Sequence, residues 1–271
     1  MIEDERAGPH HRQQRRRTAA GLIAGLGLCL GVTTAASAQA SLESFYPIVG
    51  RRPVIEHEVE IRTAHERRHD GTDTTVTISV EGPILPRWGV SLALPIEISD
   101  PRDGASTAGV GDAAIESKVV LFAADDGRAL MTAGLTVTAP TGSERRNLGG
   151  SAVIEPFAAF GLALGKLLIV ADVGYAVTIA GRDRDGRRVA GTMAVGRSFG
   201  PAVIPFVALT GAWRRSPERD AGRQERFESY AAAGLNLRVL SRATLGLGVQ
   251  LPLTRTRGFD HAFFTTLDWD L

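Results

Sequence analysis

The feature that most constrains this chain is a rhythm in its connections. From residue 55 onward, apolar and polar side chains alternate with a period of two in twelve stretches: 55–62, 73–81, 88–98, 112–122, 130–139, 152–164, 167–180, 189–199, 203–213, 227–239, 243–253 and 259–271. Such alternation predicts strands with one apolar and one polar face. The connections alternate too. Residues 65–71 are followed by the slightly shorter 82–87, residues 99–111 by the turn Asp125-Asp126-Gly127, and the loop from Pro140 to Asn147 by Gly165-Lys166. The same holds for 181–188 against Gly200-Pro201, and for 214–226 against Ser241-Arg242. An even number of strands of about ten residues, with short turns at one end and long loops at the other, marks a bacterial outer-membrane barrel. A soluble sandwich shows the same face alternation but has no reason to keep short and long connections in turn. The fold class expected is therefore all-β: a transmembrane antiparallel up-and-down barrel of about 12 strands.

The last stretch supports this. Leu271, Trp269, Leu267, Thr265 and Phe263 share one face, and Asp270, Asp268, Thr266 and Phe264 the other. A strand with a free edge invites aggregation, and closure into a barrel removes the edge. The stretch is similar to the C-terminal assembly signal of outer-membrane barrels, although those usually end in Phe and this one ends in Leu271.

At the other end, Arg15, Arg16 and Arg17 precede an apolar run over residues 21–32 and a small-residue site at Ala36-Ser37-Ala38. That is the layout of a secretory signal, too short to span a bilayer. The expected organisation is a signal peptide over 1–38, a periplasmic lead-in over 39–53, for which a plug inside the barrel is the other reading, and the barrel over 54–271. Cys29, the single cysteine, falls in the signal, so the mature chain has no disulfide. Removing the five arginines and three acids of residues 1–38 from the 31 basic and 30 acidic residues leaves 26 against 27. Bulk charge thus gives no case for nucleic-acid binding.

Little in the sequence points to catalysis. His65-Glu66-Arg67-Arg68-His69 spells the H-E-x-x-H zinc pattern, which works only where a helix puts both histidines on one face. Here it follows a strand pattern and is broken by Asp70-Gly71. No catalytic residue, metal or cofactor is assigned, and the expectation is a protein that is not an enzyme.

Charge placement says more. With the apolar faces turned to lipid, an excess of acids faces inward, and Glu58, Glu116, Lys118 and Asp172 are the candidates for lining the lumen near mid-height. An open lumen so lined favours cations. The other reading is that Glu116, Lys118 and Asp172 pair within a closed lumen. Arginines concentrate instead in the long connections: 67 and 68; 145 and 146; 182, 184, 187 and 188; 214, 215, 219, 223 and 226; 255 and 257. Guanidinium groups bind phosphates by paired hydrogen bonds, which suggests contact with outer-membrane lipid and lipopolysaccharide.

Gly109-Val110-Gly111-Asp112, and after the next strand Ala139-Pro140-Thr141-Gly142, resemble the MetA-pathway of phenol degradation family of outer-membrane barrels. The match is sharpest over 109–142. The resemblance implies a barrel in the cell outer membrane and a small-molecule solute of aromatic or hydrophobic kind. Read from the residues alone, Gly109, Gly111 and Asp112 shape a loop before a strand, and Pro140, Thr141 and Gly142 end one.

Overall fold

The computed structural model describes residues 42–146, 148–181, 184–200, 202–216 and 224–271. The signal sequence, the first residues of the lead-in, Asn147, and Arg182, Arg219 and Arg223 lie outside the described residues. Thirteen strand segments follow one another: β1 Glu58–Arg68, β2 Gly71–Leu85, β3 Trp88–Pro101, β4 Thr107–Val110, β5 Ala114–Ala123, β6 Ala129–Thr138, β7 Ala152–Leu164, β8 Leu167–Ala180, β9 Arg187–Arg197, β10 Val203–Ser216, β11 Gln224–Leu240, β12 Ala243–Pro252 and β13 His261–Asp270. Chain neighbours pair antiparallel except β4 and β5, which both pair with β3 and so form one wall strand interrupted at 111–113. Twelve wall strands result. β1 pairs with β2 on one side and with β13 on the other, from Glu58 opposite Asp270 to Arg67 opposite His261, and this closes the sheet on itself. The predicted barrel is observed.

Closure puts one face of every strand outside. Leu92, Leu94, Ile115, Val119, Leu135, Val137, Val173, Leu247 and Leu267 are exposed on that face, which water would not tolerate as a continuous belt. Lipid solvates it. Trp88, Phe122, Phe199 and Trp269 stand outward near the short turns, while Tyr175, Trp213, Phe227 and Phe263 stand outward near the long loops. These two aromatic rings bracket the apolar band as interfacial girdles do. Arg197, which shares the outward face, sits near the short-turn end with its guanidinium 5.3 Å from the centre of the Phe199 ring.

Three boundaries differ from the sequence expectation. β1 begins at Glu58, not residue 55, and Ile55 packs against Gly89 on the inner wall instead of facing lipid. β9, β10 and β11 extend past their alternating cores, so Arg187, Arg188, Arg214, Arg215 and Arg226 are strand residues, not loop residues. Backbone ladders continue through polar residues once neighbouring strands are aligned, and the two-residue pattern does not reveal where they stop. The strand over 203–213, whose facing the sequence leaves ambiguous, turns Phe206, Ala208 and Ala212 inward and Val207 and Leu209 outward.

The largest difference concerns the lead-in. Instead of lying in the periplasm, residues 42–53 run inside the barrel. Leu42, Phe45, Ile48 and Val54 are buried against Leu168, Val170, Ala194, Ile204 and Phe206 of the wall, with Phe45 edge-on to Phe206 at 5.8 Å. The wall makes room for them with glycines: a side chain at Gly196 would meet Phe45, and one at Gly248 would meet Ile48. The segment has no alternation because it belongs to no sheet. Its apolar side chains answer the inner wall rather than a period of two, which is why its place was not legible in sequence.

Candidate functional site

The plug rises from the short-turn end to Gly50 and returns to β1. Gly50 has φ +94°, and a Cβ there would fall on Asp172 Oδ1 and Thr192; only glycine makes this tip without strain. Below the tip, Asn236 of β11, 1% exposed, clasps the Tyr46 backbone twice. Tyr46 N donates to its Oδ1 at 3.1 Å and its Nδ2 donates to Tyr46 O at 2.9 Å. The clasp supplies the pairing that an inserted segment loses by leaving water.

At the tip, two consecutive arginines gather the inward acids. Arg51 pairs through Nε with Glu116 at 3.3 Å and through Nη1 with Glu155 at 3.1 Å, while its backbone N donates to Asp172 Oδ1 at 3.0 Å. Its guanidinium also lies 4.5 Å from the centre of the Phe157 ring. Burial opposes the Arg51 charge, but Glu155, Glu116 and Asp172 outweigh it and hold the group protonated. Arg52 pairs with Glu56 and with Glu58, the latter at 3.4 Å, and stacks 3.8 Å from the Tyr46 ring centre. Burial pushes the Glu56 carboxyl up to about 7, Arg52 opposing and the Glu58 charge adding to the rise. Glu56, Glu58 and Asp270 bring carboxylate oxygens within 4.8 Å of one another, and Arg52 already engages two of the three.

The structure therefore brings all four sequence-named lumen residues inward but not into one network. Lys118 pairs with Glu81 at 2.9 Å rather than with Glu116 or Asp172. Glu58, the first residue of β1, lies near the short-turn end and not at mid-height. Arg51 and Arg52 were missed; the only signal was two adjacent cations between Gly50 and Pro53, directly after the apolar run Phe45 to Val49.

The plug leaves space on both sides. One cavity of about 280 Å³ lies against β1, β2, β3 and β5 and is edged by Arg52, Glu81 and Lys118. A second, of about 350 Å³, lies between the plug tip and the long-loop end.

The motif over 109–142 forms a latch at the β4–β5 interruption. Asp112 accepts from the backbone N of Gly142 at 2.8 Å, of Gly150 at 2.8 and 2.9 Å, and of Ser151 at 2.9 Å. Thr141 Oγ1 donates to Gly111 O and accepts from Ala113 N. Gly109 lies under the buried Leu148, and Gly142 touches the Leu148 carbonyl, so neither has room for a side chain. Pro140 follows the end of β6 at Thr138 and turns the chain into this loop. The H-E-x-x-H letters fall on β1 and its turn, where His65 and Glu66 point to opposite faces and His65 Nδ1 meets Thr74 Oγ1 at 2.8 Å.

A closed twelve-stranded wall, an outward apolar belt between aromatic girdles and a polar interior define an outer-membrane β-barrel, and the cell outer membrane is its location. No family model matches the chain, and no curated protein matches it. Its fold is similar to an outer membrane channel from Pseudomonas putida F1, at TM-score 0.65 and 13% identity over 80% of this chain and 96% of that one. It is also similar to the NanC porin, at TM-score 0.55 and 10% identity over 79% and 100%. The KdgM porin, solved in complex with disordered oligogalacturonate, follows at TM-score 0.51 and 7% identity over 79% and 99%.

Proposed function

We propose that this barrel is a passive channel or uptake protein for small molecules, gated by its own N-terminal segment. The observation that carries the reading is how the plug tip is held. Its grip on the wall is made of ion pairs and hydrogen bonds bordering two cavities, not of continuous apolar packing. Polar contacts in a wet lumen exchange with water at small net loss, so the tip can leave without unfolding the wall. The resemblance over 109–142 supports a small solute of aromatic or hydrophobic kind. The outward Arg187 and Arg215 fit contact with lipopolysaccharide phosphates.

A closed structural barrel without transport is the second reading, favoured by the fully buried Phe45, Leu42 and Leu168 at the short-turn half. Planar-bilayer conductance of the refolded protein separates the two. We expect a small conductance from the natural chain and a larger one from Gly50→Val, whose side chain strains the tip against Asp172. Silence from both, with the heat-modifiable gel mobility of a folded barrel intact, would leave the structural barrel standing.

A further inference from the structure

The long-loop cavity carries a charge arrangement that the plug does not use. Arg188 of β9 lies directly opposite Arg214 of β10, which lies directly opposite Arg226 of β11. All three share the inward face with Ala190, Ala212 and Glu228, one residue from the outward ring of Val189, Trp213 and Phe227. They therefore stand inside the wall at the level of the outer girdle, turned away from lipopolysaccharide. Like charges directly opposite on neighbouring strands are unfavourable, and this row has them twice in succession. Arg188 and Arg214 border the cavity, are open to its water, and form no ion pair among the described residues.

Of the acids that line the cavity, Glu155 and Glu228 act on Arg188 only at longer range, and each, like Asp172, has a closer partner, which for Asp172 is the Arg51 backbone N at 3.0 Å. Glu155 is held by Arg51, and Glu228 Oε2 accepts from Tyr230 Oη at 2.9 Å. One side of the cavity wall is apolar: Phe259 stacks on Tyr230 at 4.5 Å, and Phe264, Ile48 and Val49 continue that surface, while Asp172, Thr192, Thr210 and Gln250 make the remainder polar. Planar guanidinium forks match a carboxylate in two-point hydrogen bonding, and a volume of this size lies at the low end of small-molecule sites.

We propose that this cavity captures a small organic anion, a carboxylate on an apolar body, with Arg188 and Arg214 binding the carboxylate and the Phe259 and Phe264 side taking the body. This names the solute class of the passage described above and rests on that reading. It also runs against the cation preference expected from sequence, because Arg51, Arg52 and Lys118 pair with Glu116, Glu155, Glu56, Glu58 and Glu81, while Arg188 and Arg214 face the cavity with their charge available to an anion.

Isothermal titration calorimetry on the refolded mature protein in detergent tests it, with hexanoate, 1-hexanol and inorganic phosphate as probes. Hexanoate is expected to bind saturably, and roughly tenfold or more weaker to Arg188→Gln/Arg214→Gln, as loss of charge-assisted pairs requires. Hexanol and phosphate are expected to bind at least tenfold more weakly than hexanoate. Equal hexanoate binding by the variant, or none by the natural chain, overturns the site. Phosphate as strong as hexanoate overturns the apolar body, and hexanol as strong overturns the charge role. Should the double variant fail to show folded gel mobility, Arg188→Gln alone provides the same comparison. Calorimetry reads occupancy and not passage: binding in a non-conducting barrel removes the channel and keeps the site, and conduction without binding does the reverse.

Discussion

Single residues decide how firmly the plug sits, and Glu56 makes that pH-dependent. It lies before β1, and burial raises its carboxyl to about 7 with the plug docked. A released segment returns it to the ordinary range near 4.5. The docked form then binds more protons between those values, so the contribution of Glu56 to docking is full below about 4.5 and is lost as pH rises through about 7. Conductance is expected to be lower at pH 5 than at pH 8, and Glu56→Gln, neutral throughout, to flatten the profile. Recordings at several pH values on both proteins measure this, and a Gln variant as pH-sensitive as the natural chain would contradict it.

At the scale of an element, the latch around Asp112 holds the 139–151 loop against the interrupted wall strand. β6 ends at Thr138, so among the described residues this loop and no strand stands beside β4 on that side. Asp112→Ala leaves the amides of Gly142, Gly150 and Ser151 without their acceptor. The loss is expected to be on the order of 2 kcal/mol or more, because charge-assisted bonds are the strong ones. Asp112→Asn keeps one acceptor oxygen and should lose less. Limited proteolysis reads the effect locally: cleavage near Arg145 and Arg146 should rise markedly in the Ala variant while the rest of the barrel stays resistant.

The whole molecule has two unlike ends, and its orientation follows from them. Short turns such as Gly165-Lys166 are expected to face the periplasm and long loops such as that carrying Arg145 to face outward. Since Cys29 is the only cysteine and falls in the expected signal, Arg145→Cys, Lys166→Cys and Arg242→Cys each give a single label site. A membrane-impermeant thiol reagent on intact cells is expected to label position 145 and to spare 166 and 242. Labelling of 166 alone would invert the barrel, and equal labelling of all three would deny that it spans the membrane.

The wall was legible in sequence because each of its decisions is local. A strand with lipid on one side and a polar lumen on the other must alternate, as at Leu92 and Leu94 against Ser91 and Ala93, and a two-residue turn such as Gly165-Lys166 reports antiparallel pairing from the letters alone. The inward placement of Glu58, Glu116, Lys118 and Asp172 followed from the same alternation. Their partners did not, since Arg51 reaches Glu116, Glu155 and Asp172 across 65 to 121 residues of chain, and no period carries contacts of that span. Tertiary structure alone decided that 42–53 enters the lumen and that Arg188, Arg214 and Arg226 meet inside its outer mouth. Closing the sheet creates an interior, and which segment occupies it depends on volumes and charges contributed by strands far apart in sequence.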